Sequence, residues 1–235
     1  MYMKYIKNTP CVYVFTGHFC SGKPEIAINF AINLKKNNPE RKVAMVDLDI
    51  INPFFRSADA KKSLEEMGIL VEIPSYANTN ADAPALTGKM GAIIDNTEYD
   101  VILDIGGDDL GARAVGYYSD RIARREHTIF FVVNKNRPFT KNKELACKIF
   151  DEVESSSLLK IDGLVNNTNL LEMTDTDTVL AGLPLMNEIS EARNVPLMFS
   201  AANKSLCCEL SKTIPEDEIL PLDEYVKLLW DRKDQ

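Results

Sequence analysis

Cysteine is scarce in this chain: there are five (Cys11, Cys20, Cys147, Cys207 and Cys208), an odd number with no C-x-x-C pair. That usage excludes a disulfide framework and offers no zinc-ligand spacing, and it reads as reduced thiols in a cytoplasmic setting. Glycine and proline are few as well, at 11 each, which excludes collagen-like, low-complexity and disordered chains. Positive charge is in deficit, with 27 basic against 35 acidic groups and a net charge of −8. The overall field therefore repels phosphate backbones and anionic lipid, and no direct nucleic-acid partner is expected. No segment approaches the roughly 18 uninterrupted apolar residues of a membrane span. The opening residues, MYMKYIKNTPCVYVF, hold no long apolar stretch with a small-residue cleavage site, so neither secretion nor a membrane role is expected.

What is present is an ordinary globular composition, 45% hydrophobic and 26% charged over 235 residues. A chain of this mass buries roughly 70% of the surface it exposes when unfolded, enough for an unaided core. Short, nearly continuous apolar runs rich in β-branched residues recur at 12–16, 43–48, 101–105, 129–133, 164–165 and 196–199, as strands covered on both faces should. Between and after them, helical spacing is found at 24–36, 59–67, 85–95, 109–124, 141–154, 176–189 and 222–231. Strand followed by helix, repeated, implies crossover connections and a mainly parallel, doubly wound α/β sheet with helices on both faces, a three-layer α/β/α arrangement. Pro24 suits a first helical turn, Thr140 is expected to cap the helix that follows it, and Pro221 to precede the last helix. The loop-like stretch 74–84 sits inside this alternation, and no repeat or linker divides the chain, so residues 1–235 are read as one domain.

The strongest chemical signal is VYVFTGHFCSGKPEIA, residues 12–27: a buried strand, the pattern G-x-x-x-x-G-K, then a helix. Gly17 and Gly22 allow a tight turn in which the backbone N–H groups of His18, Phe19, Cys20, Ser21 and Gly22, with the helix start at Pro24 and Glu25, face an anion. Lys23 supplies a cation to the β and γ phosphates. Pro24 stands where this loop needs Ser or Thr to ligate magnesium, so phosphate binding is expected to survive while metal binding and hydrolysis suffer. A second signal, VAMVDLDIINP, ends a buried strand with Asp47 and Asp49, which alternation sends to the same side. A third, YDVILDIGGD, ends a strand with Asp104 before paired glycines, the pattern of an aspartate in a magnesium shell.

On GHFCSGK, VDLDIINP and VILDIGG the chain resembles the ParA/MinD-like branch of P-loop ATPases, including the CobQ/CobB-type nucleotide-binding domains, from about Val12 through Asn167. The resemblance implies ATP or ADP binding with Lys23 on the phosphates, Asp49 positioning the attacking water, Asp47 and Asp104 in the magnesium shell, and Asn166 or Asn167 on the adenine. It implies a slow magnesium-dependent switch acting on a protein partner that the sequence does not name. With Pro24 lacking the hydroxyl, the alternative is a member that binds nucleotide without turnover and serves as a regulatory or scaffold module. Members that form nucleotide-sandwiched dimers carry a second lysine after the loop's first glycine. Here that position is His18, so the signature of activation across a dimer is absent while dimerisation itself stays open. Asn134, Lys135, Asn136 and Arg137 imitate the guanine-reading N-K-x-D, but Arg137 replaces the aspartate, which favours ATP over GTP. Cys20 is read as filling a small-residue position in the loop, and Cys207 and Cys208 as helix packing.

Overall fold

The computed structural model describes residues 4–48, 57–73, 88–106 and 109–225, with the side chains of 57–60 and 109–114 left aside. Asp49 and the whole of the 74–84 stretch lie outside these residues, as does the part beyond residue 225 of the helix expected over 222–231.

Eight strands form one sheet: β1 (Val12–Thr16), β2 (Lys42–Asp47), β3 (Ile69–Glu72), β4 (Tyr99–Asp104), β5 (His127–Val133), β6 (Gly163–Asn166), β7 (Leu197–Asn203) and β8 (Ile219–Leu222). Their order across the sheet is β3-β2-β4-β1-β5-β6-β7-β8, and every neighbouring pair is parallel. The helices are α1 (Lys23–Asn37), α2 (Ser57–Glu66), α3 (Gly88–Asp95), α4 (Asp109–Ala123), α5 (Lys143–Ser157), α6 (Thr176–Leu180), α7 (Leu183–Arg193) and α8 (Cys207–Leu210).

Period-2 alternation splits each central strand between two apolar layers. Val12 and Val14 of β1 join Ile129, Phe131 and Val133 of β5 under α3, α4, α5 and α7. Tyr13 and Phe15 join Phe130 and Val132 under α1 and α2. The expected three-layer α/β/α fold is what forms. In the second layer, Tyr13, Phe15, Phe30, Phe130 and Phe199 interlock with ring centroids 4.9 to 6.3 Å apart, mostly tilted or edge-on, with Tyr13–Phe130 and Phe30–Phe199 stacked, within the geometries that aromatic quadrupoles favour.

Several local expectations are corrected. The cap of α5 is Asn142, which accepts from the Leu145 N–H at 3.0 Å; Thr140 instead donates its hydroxyl to the Asn134 carbonyl at 2.6 Å. The helix expected over 176–189 is two, α6 and α7, because Gly182 and Pro184 interrupt the turn between them. Pro221 and Leu222 lie in β8, and residues 223–225 continue without helix. Proline is tolerated there because β8 is at the sheet's edge, where a ladder donor is dispensable. That last segment docks on α1. The buried Asn29 donates to the Asp223 carbonyl and accepts from the Asp223 N–H, both at 2.9 Å, and Glu25 accepts from the Tyr225 N–H at 2.7 Å.

At the opposite, amino-terminal edge of the sheet, Asp100 is enclosed with 1% of its side chain exposed, 3.1 Å from Arg41. It also accepts from the Cys11 N–H at 3.0 Å. Burial holds this carboxyl above the ordinary aspartate range, opposed by that N–H and by Arg41.

Candidate functional site

The strand order reverses at β1, which has β4 on one side and β5 on the other. The crevice at the carboxyl ends of such strands is where open α/β sheets take ligands. The chain places residues 17–22 there, directly between β1 and α1, with Lys23 opening α1.

Two glycines and one cysteine shape this loop. Gly17 has φ 138°, and a Cβ there would fall 2.5 Å from the Val132 carbonyl oxygen of β5. Gly22 has φ 88° with space for a Cβ closed by the Asn167 amide at 2.2 Å. Cys20 also takes the left-handed conformation, at φ 60°. Left-handed residues interleaved with ordinary ones turn successive N–H groups to one side, the concave arrangement that binds anions. Lys23, only 4% exposed, reaches back to donate to the His18 carbonyl at 3.0 Å, so its ammonium is held within the loop's curve. Pro24 occupies the first turn of α1, as its sequence position implies, and brings no hydroxyl.

Asp47 and Asp104 end neighbouring strands at the same level, paired in register across β2 and β4, and each is 1% exposed. Asp104 also lies opposite Phe15, two residues from Gly17. The two carboxylates thus stand at the sheet edge that carries the loop. Magnesium takes one or two carboxylates and keeps several waters, and this pair fits that donor set without the hydroxyl that Pro24 removes. Among the described residues no group of three or more His, Cys, Asp or Glu is arranged to hold a metal ion.

The asparagines expected at the base are placed differently from each other. Asn166 is fully buried, with its amide donating to the Val179 carbonyl at 3.0 Å and the Ser200 hydroxyl at 3.3 Å, while its oxygen accepts from the Thr168 N–H at 3.2 Å. Its side chain is enclosed, and both amide N–H groups are engaged within the interior. Asn167 donates to the Ser21 carbonyl at 2.7 Å and so braces the loop from below.

Two residues the sequence reading did not assign to the site belong to it. Arg137 donates through Nε to the Cys20 carbonyl at 3.0 Å, and the Phe139 ring stacks on His18 with centroids 4.5 Å apart and planes 25° from parallel. Both follow β5, the neighbour of β1, and that adjacency is the signal that would have found them. Buried beneath are Ser21 Oγ and Asn134 Nδ2, which have no hydrogen-bond partner among the described residues. Cys207 packs against the small apolar layer of α6, β7 and α8, as expected, while Cys208 is exposed.

The sequence matches no protein-family model and no curated protein. Solved structures do resemble it. The signal recognition particle 54 kDa protein of Aeropyrum pernix K1, determined in complex with GDP, superposes with a TM-score of 0.53 at 13% identity over 83% of this chain and 42% of that one. The cell division protein FtsY of Thermotoga maritima superposes at 0.53 and 15% identity over 86% of this chain and 64% of that one. The signal recognition particle receptor FtsY of Elizabethkingia anophelis, also in complex with GDP, superposes at 0.51 and 15% identity, over 85% and 59%. This chain therefore spans about two fifths to two thirds of the length of these three structures. The likeness shows a shared α/β fold and does not single out the ParA/MinD branch. Among the described residues no helix is long and apolar enough to cross a membrane.

Proposed function

We propose that this chain binds a nucleoside triphosphate, ATP in preference to GTP, in the loop 17–23, and works as a slow magnesium-dependent switch of the ParA/MinD type. The observation that carries the reading is the loop's shape at the switch point of the sheet: left-handed Cys20 and Gly22, with Lys23 folded into the concavity. In this reading the loop's N–H groups and the start of α1 take the β-phosphate, and Lys23 leaves the His18 carbonyl for the β and γ oxygens. Asp47 and Asp104 hold magnesium, which when bound supplies neutralising charge on those phosphates. Asp49 orients the attacking water, and Asn167 keeps the loop in place. The GDP named with two of the structural neighbours supports a nucleotide as the ligand.

The test is calorimetric titration of ATP with and without Mg2+. Binding that requires Mg2+ and falls at least about tenfold in Lys23→Ala is the expected result, the loss of one charge-assisted phosphate contact being worth that much. No heat at millimolar ATP refutes the proposal. Asp49→Asn is expected to keep binding and stop turnover.

Pro24 at the first turn of α1 favours a second reading, in which nucleotide is bound but not hydrolysed. Under it the natural chain shows no turnover and Pro24→Thr gains magnesium dependence. Turnover by the natural chain that depends on Lys23 and Asp49 eliminates it.

A further inference from the structure

The segment that follows β5 carries the opposite charge to the chain around it. Residues 127–143 hold Lys135, Arg137, Lys141 and Lys143 and no aspartate or glutamate, in a protein whose net charge is −8. Among the described residues the fold brings these cations little compensation. Their one ion pair is a contact at 3.9 Å between exposed Lys143 and its neighbour Glu144. Lys135 donates to the Ala181 carbonyl at 2.9 Å and Arg137 to the Cys20 carbonyl at 3.0 Å, neutral acceptors that fix the side chains and leave their charge unbalanced. The other two stand where the helix itself disfavours them. Asn142 caps α5, so Lys141 and Lys143 flank the positive pole of a 15-residue helix, the end at which cationic side chains are unfavourable. Residues that break a local rule with no compensating contact are of the kind found at functional positions.

The same segment is held in place and has an apolar centre. The buried Asn134 anchors it, its oxygen accepting from the Asn136 N–H at 3.0 Å and its carbonyl taking the Thr140 hydroxyl. Phe139, with two of the cations before it and two after it in the sequence, is 55% exposed although its ring is stacked on His18. We infer that residues 135–143 are a docking surface for an acidic segment of a partner protein, one that carries carboxylates on either side of an apolar side chain. Charge complementarity sets the sign of that partner, and Phe139 supplies the apolar contact that ion pairs at a wet surface do not. A linear array of cations about a ring suits a run of carboxylates, and the net charge of −8 disfavours a long nucleic acid on the same surface. Through Arg137 and Phe139 the surface is joined to the Cys20 carbonyl and the His18 ring, so an occupant of it touches residues that hold the loop 17–23. The inference goes beyond nucleotide binding and does not require it.

The probe is a fluorescein-labelled peptide of six glutamates interrupted at its centre by one phenylalanine, titrated with the full chain and followed by fluorescence anisotropy at about 10 mM and about 150 mM ionic strength. The variants are Lys141→Glu with Lys143→Glu, Phe139→Ala, and a charge-matched control, Lys160→Glu with Lys212→Glu, at lysines elsewhere on the surface that are 86% and 68% exposed. Circular dichroism confirms that each is folded. The natural chain is expected to bind the peptide, more weakly at the higher salt. The Lys141/Lys143 variant is expected to lose about tenfold, Phe139→Ala about fivefold, and the control to stay within about twofold. Calorimetry is expected to find the ATP affinity of the Lys141/Lys143 variant within about twofold of the natural chain's. No anisotropy change at the lower salt overturns the inference. An equal loss in the control does so as well, because net charge alone then attracts the peptide, and full binding by Phe139→Ala removes the apolar anchor and overturns it. Tighter binding of labelled oligothymidylate than of the peptide, lost in the Lys141/Lys143 variant, assigns the segment to single-stranded nucleic acid instead. A matching fall in ATP affinity assigns the two lysines to the nucleotide and also overturns it. A natural chain that binds the peptide as expected but not ATP refutes the nucleotide proposal and supports the docking surface.

Discussion

Five thiols with one sequence-level description become distinct once placed. Cys11 is fully enclosed, and burial pushes its thiol up to about 12; burial also raises Cys147 and Cys207. Cys20 and Cys208 are exposed. Because the thiolate is the reactive form, brief alkylation at neutral pH followed by peptide mass spectrometry is expected to label Cys20 and Cys208 and to spare Cys11 and Cys147. Saturating ATP is expected to protect Cys20 and leave Cys208 unchanged, which ties the loop to the ligand without mutation. Gly22 offers a sharper probe. Alanine there meets both an unfavourable φ and the Asn167 amide, so Gly22→Ala is expected to cost about 2 kcal/mol of stability. In an Asn167→Ala background the steric share disappears and the cost falls to about 1 kcal/mol, the backbone share. Urea denaturation of the four chains measures the coupling.

Pairs that join elements give predictions of a different kind. Arg41 leads into β2 and Asp100 lies in β4, and breaking a buried pair of this sort by removing one partner typically costs about 3 kcal/mol or more. In Arg41→Ala the Asp100 carboxyl, already raised by burial, rises further. A group whose folded pKa exceeds its unfolded value favours the folded state only while protonated, so the added penalty appears as pH climbs from the unfolded aspartate value through the folded one. The deficit of Arg41→Ala is thus expected to be full at neutral pH and to shrink toward pH 4, read as urea midpoints across pH. The central strands were legible in the sequence because both their faces are covered and their apolar runs are unbroken, as in residues 12–16 and 129–133. The edges were not. β3 is four residues long with Leu70 partly exposed, and β8 contains Pro221, so each lacks the pattern that two covered faces impose. The same contrast governs the site. The loop's glycines and lysine fall within seven consecutive residues and declare themselves, whereas the bond from Arg137 to the Cys20 carbonyl joins positions 117 residues apart and exists only once β5 lies beside β1. The burial of Asn166 was not legible because an asparagine after a strand reads the same whether its side chain is open or, as here, enclosed.

For the molecule as a whole, the two apolar layers are the two faces of the same strands, with Val14 on one side and Phe15 on the other. Neither layer can be lost without removing half the burial of every central strand. Far- and near-ultraviolet circular dichroism are therefore expected to trace one superimposable urea transition, and separated transitions would show that the layers melt independently. The docking of residues 223–225 on α1 also bears on biosynthesis. The loop 17–23 leaves the ribosome before the elements that complete it: β1 must await β4 and β5 for its neighbours, and Asn29 and Glu25 must await Asp223 and Tyr225 for their partners. A nascent chain halted before those last residues emerge would carry the whole loop sequence with an unfinished helix behind it. The helix that follows the loop is therefore completed only once residues 223–225 have been made.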